Sequence, residues 1–383
     1  MLAGNGNGPE SMSTATRLDR LRYALDGAGV DAIIVTVPAN IRYLTGFSGS
    51  ACVLIVTGSG SVACTDSRYA VQIEEELREA GLGGEVKVVV GNLKEQESAI
   101  VAAVRKAGAL RVGLEAEHVS WAAKEKWAKS VAGAASAGGA GCDVVATTEL
   151  VERLRRCKDR GELARLERAA SIADEALLST AGMLADGPTE SEVALELETA
   201  MRRLGAEDRS FDTIVASGPN GAKPHARPSD RRISPGETVV IDFGATFDGY
   251  HSDMTRTLCP GGELHGQMAE VYKVVLEAQA AGLAAAGPGV AAKDVDEACR
   301  DVIKAAGYGD AFGHGTGHGV GLEVHEAPVV GPRSDDTLEE GHAVTVEPGI
   351  YLPGIGGVRI EDMVVVGPAG TRVVTGYTKE IWR

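Results

Sequence analysis

Three short segments place polar residues where a folded chain least readily accepts them. In the first, Asp242 ends the apolar run Val239-Val240-Ile241, and Asp253 follows eleven residues later. Between them, Asp248-Gly249 is a signal for a two-residue type I′ hairpin turn. That turn makes Phe247 oppose Tyr250, Gly244 oppose Asp253, and Asp242 oppose Thr255. Strand faces repeat every two residues, so Asp242 and Asp253 become diagonal neighbours on one face, roughly 7 Å apart at Cβ. Two buried carboxylates at that separation raise each other's pKa unless something positive sits between them. Asp248, in the turn itself, reads as solvated.

The second segment runs from Phe312 to Glu326, with glycines at 313, 315, 317, 319 and 321. Each glycine costs a helix about 1 kcal/mol, so this is extended or looped chain. His314 and His318 then share a face, with His325 close behind. No Gly-x-Gly-x-x-Gly spacing occurs, so the segment is not a dinucleotide fingerprint. In the third segment Glu347 closes the apolar strand Ala343-Val344-Thr345-Val346, and Pro348-Gly349 forces a turn. In the strand that follows, Arg359 and Glu361 share one face while Asp362 points the other way. Arg359 is placed to hold Glu361 ionised and oriented.

Asp242, Asp253, His318, Glu347 and Glu361 together make four carboxylates and one imidazole. Four negative charges need about four positive ones, which is two divalent cations. Oxygen-rich ligation with one nitrogen suits manganese, with cobalt or zinc as alternatives. Two metals lower the pKa of a shared water towards about 7 and clamp a tetrahedral oxyanion. That chemistry is hydrolysis.

Elements must position these residues. Over 16–145 helices (17–28, 70–80) alternate with strands (32–37, 51–57, 86–90, 142–145), the pattern of an α/β domain. The small-residue stretch 132–141 reads as a flexible surface loop. A long charged helical region over 150–184 reads as a solvated face with salt-bridge spacing. A helix over 190–204 follows, capped by Thr189. Helices over 267–286 and 292–305 then interrupt an otherwise strand-rich, α+β half. The expected organisation is a flexible tail over 1–15, an N-terminal domain over 16–148 and a catalytic domain over 149–383. The tail has an alternative reading, an over-extended start with Met12 as the true initiator.

The 383 residues carry 38 Lys and Arg against 54 Asp and Glu, a formal net charge of −16, which argues against nucleic acid or an anionic membrane as partner. An apolar share of 44% with 24% charged residues is that of an ordinary globular protein. No apolar run approaches the roughly 18–20 residues of a membrane span. The first thirteen residues have no apolar core, so they are no signal peptide. Six scattered cysteines without a Cys-x-x-Cys pair fit reduced thiols in a cytoplasm. A serine hydrolase lacks its Gly-x-Ser-x-Gly elbow, and Pro328 rules out a His-Glu-x-x-His zinc helix after His325.

From about Thr16 to Arg383 the chain resembles the pita-bread metallopeptidases: Xaa-Pro aminopeptidase (aminopeptidase P), prolidase, methionine aminopeptidase and creatinase. The family's ligand pattern is an Asp, an Asp eleven residues on, a His and two Glu. It is met by Asp242, Asp253, His318, Glu347 and Glu361 without departure. The resemblance implies that Asp253 and Glu361 bridge two metals. It implies that His225, in Lys223-Pro-His-Ala-Arg-Pro228, contacts substrate, and that His314 and His325 position the peptide and steady the oxyanion. Glu347 is similar to the family glutamate that carries the proton to the leaving nitrogen. The segment Pro38-Ala-Asn-Ile-Arg-Tyr-Leu-Thr-Gly-Phe-Ser-Gly-Ser50 looks like the N-terminal signature of aminopeptidase P, prolidase and creatinase; methionine aminopeptidases generally lack that domain. Creatinase works without metals and has lost ligands, so the five intact ones set it aside. The resemblance therefore implies a homodimeric, cytoplasmic peptidase acting on proline-containing peptides. Aminopeptidase P is the first expectation and prolidase the alternative, with Arg333 a candidate partner for a substrate carboxylate. A non-catalytic interaction protein on the same fold is the remoter alternative; broken ligands would mark it, and none is broken.

Overall fold

The computed structural model describes residues 14–132 and 141–381. Of the expected tail over 1–15, residues 1–13 lie outside them, and 14 and 15 belong to the helix Thr14–Ala28; of the small-residue loop expected over 132–141, residues 133–140 lie outside them. The chain divides into two compact units at Arg155/Arg156. The helix Glu152–Arg156 is held to the first unit by Tyr43 Oη donating to the Leu154 carbonyl and by Arg155 donating to Asn40 Oδ1.

The first unit is an α/β sheet of six strands: β1 (Ala32–Val35), β2 (Cys52–Thr57), β3 (Gly60–Thr65), β4 (Val86–Val90), β5 (Arg111–Glu115) and β6 (Asp143–Thr147). Their spatial order is β4-β3-β2-β1-β5-β6. The β1–β2 and β2–β3 pairs are antiparallel and the others parallel. The strand expected over 32–37 stops at Val35, because Pro38 opens the helix Pro38–Thr45. Glu115 accepts the Thr36 and Val37 N–H groups at 2.6 and 3.0 Å, just ahead of that helix. Helices Leu93–Ala107 and Trp121–Ala132, which the hydrophobic spacing did not single out, complete the unit. Ile100, Val104, Trp127 and Val131 pack from them against Ile34, Ile55 and Val112.

The charged region expected as one solvated helix is two elements, Glu152–Arg156 at the end of the first unit and Arg160–Thr180 in the second, separated at Cys157–Asp159. Much of its charge is buried rather than solvated: Lys158, Glu162 and Arg165 are all under a tenth exposed. Each has a partner, which is how a buried charge is tolerated. Lys158 meets Glu326 at 3.2 Å, and Glu162 accepts from Tyr250 Oη at 3.0 Å. Arg165 reaches Asp248 Oδ2 at 2.5 Å, so the turn aspartate is ion-paired and not simply solvated. Helix Glu190–Arg203 starts from a capping box on Thr189, as its sequence predicts.

The antiparallel strands beneath these helices carry the polar residues. Strand Val239–Phe243 pairs with Met254–Leu258, Asp242 facing Thr255. Phe247 faces Tyr250 across Asp248 and Gly249, whose φ values of 46° and 73° are those of a type I′ turn. The expected register is the observed one. The hairpin breaks at Gly244, where a Cβ would lie 1.8 Å from the Ser252 carbonyl oxygen. A five-stranded sheet follows, in the order Glu326–Val330, Gly317–Gly319, Ala343–Val346, Asp362–Gly367, Gly370–Val373. Helices Gly266–Ala285 and Ala292–Ala305 cover it through Val295, Cys299, Val344 and Val364. Arg256, 1% exposed, ties the two sheets together: it donates to the Glu361 carbonyl, to Asp362 and to the Tyr377 carbonyl. Lys379 pairs with the same Asp362. All six cysteines are free, and among the described residues no helix is long and apolar enough to cross a membrane.

The strand Gly317–Gly319 is glycine-rich because its neighbours' backbones press on it. A Cβ at 317 would sit 2.1 Å from the Thr345 carbonyl oxygen, whereas one at Gly182 meets nothing within 4 Å. Overpacking of that kind costs about 1–3 kcal/mol. Gly317→Ala is therefore expected to lower the melting temperature by about 3–10 °C, with Gly182→Ala no less stable than the parent. Equal melting temperatures for Gly317→Ala and the parent would refute the close strand approach.

Candidate functional site

The hairpin, the glycine-rich strand and the two strands around Pro348 converge on one cavity of about 560 Å³. Asp242, Asp253, His318, Glu347 and Glu361 all line it, as do His225, His314, His325 and Arg359. Arg333 does not; it is exposed, on the turn closed by the Ser334 N–H donating to the Gly331 carbonyl. A larger depression, about 1090 Å³, lies against Arg256, Tyr272 and Tyr377 and includes none of the residues singled out above as ligands.

Ligand atoms of Asp253, His318 and Glu361 lie within 4.8 Å of one another. His318 Nδ1 is 3.1 Å from the Gly319 carbonyl, which can only accept, so the ring proton sits on Nδ1. The Nε2 lone pair then faces Asp253 Oδ2 and Glu347 Oε1, each 3.5 Å away. Burial, with His325 adding to it, brings the His318 pKa down to about 4, so the imidazole is neutral. A lone pair directed at two carboxylate oxygens is repulsive unless a cation lies between them.

The carboxylates agree. Burial, and then the charges of Glu361, Asp242 and Glu347, push Asp253 well above the ordinary carboxylate range. Glu361 is raised in the same way, by burial and then by Glu347 and Asp242. Burial brings Glu347 up to about 8, with the Arg359 guanidinium opposing. Asp242 Oδ1 and Glu361 Oε1 are buried with no hydrogen-bond partner among the described residues. Unsatisfied buried oxygens of this kind need an account, and an ion is one. The donor set therefore fits a divalent-metal centre.

Arg359 is 3% exposed and does not hold Glu361 as expected. Its Nη2 donates to Asp242 Oδ2 at 2.5 Å, its Nε to Thr255 Oγ1 at 3.0 Å, and its Nη1 to Tyr351 Oη at 2.8 Å. One strand ends at Arg359 and the next begins at Asp362, so the two-residue repeat that would put 359 and 361 on one face is interrupted. In the gap Ile360 N–H turns to the Pro348 carbonyl and Glu361 N–H to Thr255. Glu361 instead accepts from Thr255 Oγ1 at 2.7 Å. Asp362 does point away, to Arg256, Gln279, Thr375 and Lys379.

The three other histidines differ. His225 and His325 are exposed on the cavity wall, and the His325 ring lies 4.3 Å from that of His318. His314 is already engaged: Nδ1 donates to the Gly315 carbonyl at 2.7 Å, leaving Nε2 to accept from Tyr351 Oη at 2.9 Å. Burial brings its pKa down to about 4. Sequence reasoning passed over Tyr351 and Thr255. The register that set Thr255 opposite Asp242 carried the signal for the second; nothing in the local pattern marks the first.

Comparison with known proteins supplies the family. The model of metallopeptidase family M24 matches residues 164–368, and that of the Creatinase/Prolidase N-terminal domain matches 17–157. The Xaa-Pro dipeptidase of Pyrococcus furiosus is 34% identical over 95% of this chain and 99% of its own length. Among solved structures, the Xaa-Pro dipeptidase from Bacillus anthracis is 39% identical with a TM-score of 0.88. The X-Pro aminopeptidase from Thermotoga maritima is 36% identical with a TM-score of 0.84. Both alignments cover 96% of this chain and 99% of the other. With both family models met and near-complete coverage at these identities, the chain belongs to metallopeptidase family M24, a creatinase/prolidase N-terminal domain preceding a pita-bread catalytic domain.

Proposed function

We propose that the protein is an Xaa-Pro dipeptidase, a prolidase, that holds two divalent cations, manganese by preference, on Asp242, Asp253, His318, Glu347 and Glu361. The observation that carries the metal reading is the cluster of carboxylates and one neutral imidazole, with Arg359 the buried guanidinium among them. Asp253 and Glu361, the more deeply buried pair, are the bridging candidates. Two bound metals supply an activated water and a Lewis-acid contact for the scissile carbonyl.

The chain's own residues account for the rest. The nitrogen of an Xaa-Pro bond has no hydrogen and sits in a ring, so it must be protonated as it leaves. Glu347, ionised once a cation is held beside it, can take a proton from the attacking water and deliver it there. His325 and His225, exposed in the same cavity, are placed to hold the carbonyl and the residues around it. His314, with both nitrogens engaged, acts by fixing Tyr351 and through it Arg359.

Dipeptidase is preferred over aminopeptidase on two grounds. The Pyrococcus and Bacillus relatives both carry that name. The cavity also offers a cation for a free proline carboxylate: Arg227, exposed on its wall, makes no hydrogen bond or ion pair with any described residue. The position of Arg333 outside the cavity favours the second reading, an Xaa-Pro aminopeptidase whose substrates run on past the proline.

Removing metal with a chelator is expected to abolish activity, and manganese(II) to restore it. Glu347 is protonated below about pH 8 in the metal-free protein, so metal binding there displaces a proton. Asp253 and Glu361 are raised as well and must shed protons too, so manganese affinity should rise by at least about tenfold per pH unit between pH 6 and 8, by calorimetric titration. Full activity in demonstrably metal-free protein would sink the metal reading.

The two specificities separate on kcat/KM for an Xaa-Pro dipeptide and the matching Xaa-Pro-Yaa tripeptide. The dipeptide should be the better substrate. Arg227→Ala should cost it about 10- to 100-fold, mostly in KM, and leave the tripeptide nearly unchanged, as for a lost charged hydrogen bond. Arg333→Ala should be silent. A tripeptide cleaved as well as the dipeptide, with no effect of Arg227→Ala on either, would favour the aminopeptidase.

A further inference from the structure

The stretch from Phe312 to His318 carries two site histidines on a chain with glycine at every second position. Such a chain has few side chains with which to anchor itself, and its backbone has more freedom to lose than any other. What holds it comes from elsewhere. Asp296 and Arg300 stand one turn apart on the helix Ala292–Ala305 and pair in a fork, Nε to Oδ2 at 2.9 Å and Nη2 to Oδ1 at 2.8 Å. Arg300 also donates to the Phe312 carbonyl at 3.0 Å and to the His314 carbonyl at 2.9 Å, with its guanidinium 4.2 Å over the Phe312 ring. Asp296, 1% exposed, accepts from both the N–H and the hydroxyl of Thr316, at 3.1 and 2.9 Å. The Thr316 carbonyl in turn accepts the Glu347 N–H at 2.7 Å. Neither Asp296 nor Arg300 lines the cavity.

We infer that Asp296 and Arg300 are a positioning pair for the reaction: they clamp the glycine-rich segment at 312, 314 and 316 and thereby set the placement of His314 and Glu347. Arg300 fixes the backbone of His314, whose ring holds Tyr351, whose hydroxyl accepts from Arg359 on Asp242. The helix pair thus reaches the cavity through two separate lines of hydrogen bonds. An isolated Asp–Arg pair at this spacing merely supports its own helix; here both members of the pair also bond the site segment. The inference rests on the site reading proposed above, in which His314 and Glu347 serve catalysis.

The test is a double-mutant cycle on the manganese-loaded enzyme. Displacing a catalytic group by about 1 Å costs on the order of 100-fold in rate. Arg300→Ala should therefore lower kcat by about 100-fold while KM stays within about threefold and manganese per chain is unchanged. Arg300→Lys, which keeps the charge but not the fork, should recover part of that loss. Should Arg300→Ala not fold, Arg300→Lys alone should still lower kcat by about tenfold. Adding Arg300→Ala or Arg300→Lys to His314→Ala should cost less than about threefold more, because the two act along one line. Losses that multiply, or a variant with a lower melting temperature and an unchanged kcat per bound metal pair, would overturn the inference and leave Arg300 a stability residue only. If His314→Ala itself keeps full kcat, the site reading fails, and this inference with it.

Discussion

Four carboxylates meet in one cavity around one buried guanidinium, Arg359, and most of the second unit can be understood as the means of keeping them there. Burial alone makes an ionised carboxylate costly, and proximity to others adds to the cost. Arg359 balances part of the charge through Asp242. Thr255 bridges the two sides of the problem, accepting from Arg359 and donating to Glu361. The residual negative charge, with Asp242 Oδ1 and Glu361 Oε1 unpaired, is what selects for divalent cations. In the proposed metal reading, the affinity for cations is therefore built into the electrostatics of the fold and not added by a separate binding loop.

The scaffold around that charge is unusually dependent on backbone contacts. The hairpin bends at Gly244 because the Ser252 carbonyl occupies the space of a side chain, and that bend separates the turn from the strands bearing Asp242 and Asp253. The strand with His318 fits between its neighbours only as glycine on either side of the histidine. Close packing of this kind positions side chains to fractions of an ångström, which metal geometry demands. Its cost is that local sequence carries little of the holding force, so ion pairs buried elsewhere, Lys158–Glu326 and Arg256–Asp362 among them, stabilise the segments from behind.

Where a feature depends on local rules, the sequence displays it. Asp248-Gly249 implied a register, and the register put Asp242 opposite Thr255, as observed. Glycine alternation marked extended chain, and capping by Thr189 marked a helix start. Features that depend on a distant partner were not legible. Arg359 and Glu361 looked like one face of one strand, and only the detour of Ile360 to Pro348 shows otherwise. The charges over 152–165 had helical salt-bridge spacing, and their true partners, Asn40, Glu326, Tyr250 and Asp248, lie tens to more than a hundred residues away. Periodicity reports which face of an element is apolar; it cannot report which polar group will be waiting in the core.

The junction at Arg256 has a consequence for the chain's own integrity. Its guanidinium spans the Glu361 backbone, the Asp362 carboxylate and the Tyr377 carbonyl, and Lys379 closes over the same carboxylate. The stretch from 375 to 379 is thus wired to the residue next to Glu361. Cleavage by another protease just before Tyr377 would leave Asp362 without Lys379 and take from Arg256 the carbonyl that accepts from its Nε, both in a dry interior. For the cell, the stretch from 375 to 379 is a point at which limited proteolysis would silence the enzyme without touching a single residue of its cavity.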